Sequence, residues 1–248
     1  MLLYLEVFKF SILFALLNIV STKIAQFSLK NKKYDSINDM NYLAVKVGEK
    51  CASTINSTIV TYFSLKILMN SNFWLHRISF ISDESIFLSH FACGYFLYDV
   101  IMCLVRFKYV GLVFLCHAIL AFVINLISII SNVGHFYTGA FLVWEISTPF
   151  INIRYFMHKL KVYKFEKVNN AMIILIFFTF RIIWGSFIYY FIIIDTLKYG
   201  NGILLKTPIF ITFFMNALNY YWFYKMIKIV YSMIYNNRYN LYAIDSTQ

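Results

Sequence analysis

The sequence predicts an all-α fold, a polytopic membrane bundle of about seven transmembrane helices, and three observations predict it. Hydrophobic residues make up 61% of the 248 and charged residues only 13%, with a mean hydropathy of +0.69; a soluble domain with so little polar surface would precipitate. Apolar runs of roughly 20 to 28 residues recur seven times, each long enough at ~1.5 Å per residue to cross a ~30 Å hydrocarbon core. Lysine and arginine then collect in alternate loops, the pattern of the positive-inside rule.

The spans fall near 3–27, 43–69, 86–106, 109–131, 134–157, 168–195 and 203–230. The first carries Glu6 and Lys9, has no basic residue ahead of its apolar run and lacks a small-x-small cleavage site, so it reads as a retained helix rather than a signal peptide. The second carries Lys46, Lys50, Ser53, Asn56, Ser57 and Thr61 at three- and four-residue steps, which gives it one polar face that cannot look at lipid. The third holds Tyr95 and Asp99 one turn apart; the fourth His117, Asn125 and Ser128; the fifth Glu145, Thr148 and Asn152; the sixth Arg181; the seventh Thr212, Asn216 and Asn219. No Gly/Ser/Pro-rich linker divides the chain, so residues 1–42 form a first helix and loop, 43–235 one membrane domain, and 236–248 a short polar tail.

With seven helices, the loops near 28–42, 107–108 and 154–167 share one side with the C-terminus. They and the flanking helix ends carry Lys30, Lys32, Lys33, Arg106, Lys108, Arg154, Lys159, Lys161, Lys164, Lys167, Lys225, Lys228 and Arg238, against little beyond Arg77 and Lys198 opposite. The expected topology is a cytosolic C-terminus and a lumenal or external N-terminus. The net charge of +11 is thereby a topology signal and a contact with anionic headgroups, not a sign of nucleic acid.

Direction gives depth. Counted from the basic side, Lys50, Asp99, His117, Glu145, Arg181 and Asn219 lie about 7 to 14 residues in, or roughly 10 to 20 Å deep. Six helices therefore put a polar group in one layer. A single intramembrane Asn or Ser reads first as an interhelical hydrogen-bond partner. Asp99, Glu145 and Arg181 are costlier, about 2.5 to 3.5 kcal/mol each, and read either as a buried ion pair or as the wall of a functional cavity. Pro149 lacks an N–H and frees the carbonyl of Glu145 four residues back, giving either an extra acceptor beside the carboxylate or a kink.

The stretch from Gly94 to Asp99 (GYFLYD), His117, the segment from Glu145 to Asn152 (EISTPFIN) and Arg181 occur in an order and spacing that resembles the TLC-domain family. The chain is most similar to the smaller TLC-domain-containing proteins of the transmembrane protein 56 type, over about residues 43–235. The resemblance implies a lipid-facing function, since the family includes sphingosine acyltransferases and proteins linked to membrane lipid composition and trafficking. It also implies an endoplasmic reticulum or other endomembrane location. The acyltransferase branch resembles a six-helix cavity with an adjacent His pair; here the pair reads Cys116-His117, and Asn56 stands where the smaller branch usually has a histidine. Neighbouring helix residues point about 100° apart, so Cys116 and His117 form no dyad of their own.

The expectation is a protein of lipid homeostasis that binds, senses or traffics a membrane lipid (a sphingolipid, a phospholipid or acyl-CoA) in an intramembrane polar cavity. Its candidate residues are Lys50, Asn56, Tyr95, Asp99, His117, Glu145, Thr148, Asn152, Arg181, Asn216 and Asn219. The alternatives are a lipid acyltransferase with a degenerate His pair, in which His117 is the one catalytic candidate, and a small-molecule transporter or receptor. The broken pair weighs against an enzyme. No metal site is expected, because His76, His90, His117, His135 and His158 are scattered, and no cofactor is expected, there being no phosphate-binding glycine loop or Gly-x-Ser-x-Gly elbow. Cys51, Cys93, Cys103 and Cys116 all fall within spans, which argues against a disulfide framework.

Overall fold

The computed structural model describes residues 2–30, 37–162, 164–199 and 203–236. Among these there is no strand, and seven long helical rods run back and forth: α1 (Leu2–Leu29), α2 (Ile37–Met69), α3 (Asp83–Val105), α4 (Leu112–Ser131), α5 (135–159), α6 (Glu166–Tyr199) and α7 (Ile203–Asn236). The fold class expected from the sequence is the one observed. Four rods, at Tyr4–Leu29, Asp83–Val105, Leu112–Ser131 and Glu166–Tyr199, are long and apolar enough to cross a membrane by composition alone. The other three, α2, α5 and α7, carry several of the polar residues that the bundle turns inward, among them Asn56, Glu145 and Asn219. The tail from 237, with Arg238, and the loop residues Lys32 and Lys33 lie outside the described residues.

Local chemistry sets the ends. Ser82 and Ser85 form a reciprocal capping box, and Asp83 and Glu84 place negative charge at the positive end of α3. Gly111, at φ +80°, opens α4, and Asn132 in the left-handed region closes it. Gly134, at φ +74°, then lets the chain reverse into α5 while its N–H donates to the Ile78 carbonyl at 2.8 Å.

Two rods are not uniform. In α5, His135–Leu142 is α-helical, Val143–Ser147 tightens to 3-10 geometry, and Thr148–Lys159 resumes the α-helix. In α6 the segment Phe177–Ile183 widens to a π-helix. Every residue of α5 from His135 to Glu145 is buried, so this half-rod is the axis of the bundle, packed by α2, α3, α4 and α6.

The first rod packs on α2 and α3 at two glycines. A Cβ on Gly48 would lie 2.6 Å from the Asn18 carbonyl, and one on Gly94 would lie 2.5 Å from Phe10 Cβ and 2.8 Å from the Val7 carbonyl. The backbones approach this closely because nothing projects between them, the small-residue packing on which membrane helices rely. Asn18 Nδ2 then donates to the Tyr98 hydroxyl at 2.8 Å, and Phe14 packs edge-on against Phe91 and Tyr95.

The face opposite the basic loops is tied by Arg77. Its guanidinium forks onto Asp195, Nε to Oδ2 at 2.7 Å and Nη2 to Oδ1 at 2.9 Å, and lies 4.6 Å over the Phe191 ring. The Tyr137 hydroxyl donates to the same carboxylate. Bonding to Asp195 holds the Arg77 guanidinium well above the usual arginine range, so it stays charged at any pH the protein meets.

Candidate functional site

Pro149 arranges the centre of the bundle. Its missing N–H releases the Glu145 carbonyl, as the sequence implies, but that carbonyl does not remain free. The Thr148 N–H moves onto it, an i to i+3 bond that makes the 3-10 turn. Thr148 thereby abandons the acceptor it would use in an α-helix, the Trp144 carbonyl. The extra acceptor expected at Glu145 is thus displaced by one residue, and Arg181 and the Ser147 hydroxyl share it.

Arg181 reaches this point from the π-helical segment of α6. Its Nε donates to the Trp144 carbonyl at 3.1 Å and to Ser147 Oγ at 3.0 Å, Nη1 to Asn219 Oδ1 at 3.1 Å, and Nη2 to Glu145 Oε1 at 3.4 Å. Phe177 lies 5.2 Å beneath the guanidinium carbon. Glu145 is completed by Thr148, whose hydroxyl donates to Oε2 at 2.7 Å. A buried charge pair costs several kcal/mol per ion unless its remaining valences are filled; here all three nitrogens of the cation donate, and it links α5, α6 and α7.

Four further sequence candidates, Lys50, Tyr95, Asp99 and Asn152, gather between α2, α3 and α5. Asn152 Nδ2 donates to Thr54 Oγ1 at 2.9 Å and sits 3.3 Å from Ser53 Oγ and 3.4 Å from the Lys50 carbonyl. The Lys50 ammonium lies 5.4 Å from the centre of the Tyr155 ring. Tyr95 is within hydrogen-bonding reach of Ser53 and feels the charges of Asp99 and Glu145. Asp99 is in electrostatic range of Glu145, Glu49 and Lys50 but, unlike Glu145, forms no direct ion pair among the described residues. Glu49 is taken by Arg106 and by Lys46 at 3.1 Å.

Three candidates stand apart. Asn56 is fully buried, with neither amide atom bonded. His117 packs edge-on to Trp222 at 5.3 Å and faces Phe96 at 6.5 Å; its Nδ1 has no partner, and neither Asp99 nor Glu145 hydrogen-bonds it. Asn216 uses Nδ2 on the Thr212 carbonyl at 3.0 Å, leaving Oδ1 unpartnered beside Gly185, where a Cβ would meet both it and the Trp144 ring at 2.9 Å. All four cysteines are free.

His117 and Glu145 nevertheless share a space. A cavity of about 40 Å³ lies between α4, α5 and α7, lined by both of them with Asn125, Thr138, Trp144 and Thr212 among mainly apolar neighbours. This is room for a few water-sized molecules, at ~10 to 15 Å³ each. Asn125 is 2% exposed, and its Oδ1 has no partner.

The sequence does not single out Ser147, Trp144 or the Arg77, Asp195 and Tyr137 group as important. The first two act through a backbone shift whose one sequence signal, Pro149, points to a freed carbonyl but not to which residue ends up offering it. For the third there is a signal: Arg77 is an isolated cation on the poorly charged face, and Asp195 is an acid at the end of a span on that same face.

Residues 46–228 match the TLC domain, and the chain belongs to the TLC-domain family. It is 32% identical over 165 residues to the topoisomerase I damage affected protein 4 of Saccharomyces cerevisiae, which covers 61% of this chain and 58% of that protein. An uncharacterized TLC domain-containing protein of Schizosaccharomyces pombe is 32% identical over 144 residues, 56% of this chain and 49% of its own. A second such protein of Saccharomyces cerevisiae is 27% identical over 216 residues, 80% of this chain and 65% of its own. The chain thus spans about half to two thirds of the length of these relatives.

Proposed function

We propose that this multi-pass membrane protein acts in lipid homeostasis by binding, sensing or trafficking a membrane lipid within the bundle. The observation that carries the reading is the cavity between α4, α5 and α7, where a neutralised charge pair, Glu145 with Arg181, stands beside polar atoms with no protein partner, His117 Nδ1 and Asn125 Oδ1. Buried polar groups are ordinarily hydrogen-bonded, and orphans lining a space are groups that await one. All seven rods cross the membrane in this reading, in an endomembrane such as the endoplasmic reticulum, with the C-terminus cytosolic.

The test is lipid analysis of protein purified from its native membrane, wild type beside Glu145→Gln and His117→Ala. A defined lipid retained by the wild type and depleted in folded variants supports the proposal; equal lipid in all three sinks it. The acyltransferase alternative draws less support, because a general base needs an orienting partner and His117 has none. Acyl transfer from acyl-CoA to a sphingoid base that vanishes in His117→Ala would promote it; we expect no transfer, and none from Cys116→His while Asn56 remains.

A further inference from the structure

The turn between α5 and α6 holds a lysine where the backbone favours glycine. The Val162 N–H donates to the Met157 carbonyl at 2.9 Å and the Lys161 N–H to the His158 carbonyl at 3.2 Å, the paired bonds of a Schellman ending. Lys161 itself stands at φ +56°, in the left-handed region where glycine is the usual occupant and a side chain is strained. The ending does not require a lysine there: both bonds are backbone bonds, and His158 and Lys159 already place basic groups at the negative end of the helix. The Lys161 side chain is exposed, and a strained residue at a surface points to a use for its side chain.

Its neighbours share a pattern. Lys159, Lys164 and Lys167 are exposed as well, and Leu160, Val162 and Phe165, interleaved with them, are each about half exposed. The one acid in this stretch, Glu166, is buried 3.2 Å from His158 Nε2, so it gives the surface no counter-charge. Water suits the four ammoniums but not the apolar side chains, and hydrocarbon suits only the latter. The surface of an anionic leaflet suits both, with phosphates for the ammoniums and acyl chains for the apolar groups. The Tyr155 ring has the Lys159 ammonium 5.9 Å and the Lys50 ammonium 5.4 Å from its centre, so the turn adjoins the polar group that Lys50 shares with Asn152.

We propose that this turn is a binding surface for the anionic phospholipid headgroups of the leaflet from which α5 emerges, and that Lys161 keeps its strained backbone because its ammonium meets a headgroup phosphate. The proposal rests on the reading that the rods cross a membrane and not on the cavity between α4, α5 and α7.

The full chain in nanodiscs of mixed phosphatidylcholine and phosphatidylserine, each carrying a photoreactive group beside its headgroup, tests this. Phosphatidylserine is expected to label the turn several-fold more than phosphatidylcholine, with the excess shrinking at high salt. Lys161→Gly separates a used side chain from an idle one. It relieves the left-handed strain, so the variant is expected to unfold about 2 to 4 °C higher while losing part of the phosphatidylserine excess. Lys164→Gln with Lys167→Gln, which leaves the backbone of the turn as it is, is expected to reduce the excess several-fold. A Lys161→Gly protein that keeps the whole excess overturns the role of Lys161, and one no more stable than wild type overturns the strain. Equal labelling by the two lipids overturns the anionic partner. Loss of labelling to soluble glycerophosphoserine would assign a free headgroup site in place of a leaflet surface. No labelling of the turn by either lipid, on protein whose termini lie on opposite sides of the membrane, overturns the surface altogether and leaves the lipid-cavity reading standing.

Discussion

Arg181 Nε donates to the carbonyl of Trp144 at 3.1 Å, a bond that exists because Pro149, five residues further along α5, has no N–H to give. The proline, the 3-10 turn, the released carbonyl and the guanidinium form one causal chain, and it places Glu145 against the cation that neutralises it.

That chain separates two substitutions. Arg181→Leu leaves Glu145 without its counter-charge and Asn219 Oδ1 without its donor in a buried space, and is expected to lower stability by about 3 to 5 kcal/mol. Glu145→Gln leaves Arg181 with Trp144, Ser147 and Asn219, and is expected to cost under about 2 kcal/mol. Thermal unfolding and folded yield in detergent read the difference; equal losses would mean that the pair, rather than the four-way hub, holds the centre.

Gly94 and Gly48 make a second expectation. Gly94→Val drives a branched side chain into the α1 backbone and should cost about 1 to 3 kcal/mol, with α1 becoming sensitive to proteolysis before the remaining rods. An unchanged protection pattern would mean that α1 holds its place without backbone contact at Gly94.

On the opposite face, Asp195→Asn removes the carboxylate that Arg77 grips with two nitrogens. The loss should be about 1 to 3 kcal/mol, in the range of hydrogen bonds to charged groups, with the lower end favoured because Arg77 is partly solvent-exposed. Tyr137→Phe should cost about 1 kcal/mol. A double-mutant cycle between Arg77 and Asp195 measures the coupling, and a value near zero would reduce the fork to an idle contact.

Topology offers the simplest check. A C-terminal tag is expected to be accessible from the cytosol and an N-terminal tag protected, as the Lys/Arg asymmetry requires. Both termini on one side would mean an even number of crossings, and the common depth of Lys50, Asp99, His117 and Glu145 would be lost.

Much of this was legible beforehand. The seven rods lie close to the apolar runs because, in hydrocarbon, a helix satisfies every backbone group within its own segment. Glu145, Arg181 and Asn219 stood out because charge and amide are costly at that depth, and the structure joins them. Asp99 stood out for the same reason, yet it meets Glu145 only through space. The 3-10 turn has one cue, Pro149, which by itself does not fix which carbonyl is released, and the π segment Phe177–Ile183 differs little in composition from the helix around it. The Arg77 fork spans 118 positions, beyond the reach of any local pattern.

The burial of the first half of α5 on all sides, Glu145 included, has a consequence for biogenesis. Arg181 lies 36 residues after Glu145, so at ~5 to 20 residues per second the ribosome supplies the guanidinium about 2 to 7 s after the carboxylate. During that interval the hydroxyl of Thr148, one helical turn away, is a partner Glu145 already carries with it. A chain lacking that hydroxyl would present a bare acid to the insertion machinery until α6 emerged, and newly made Thr148→Val protein should engage membrane quality control more heavily than its finished, folded counterpart.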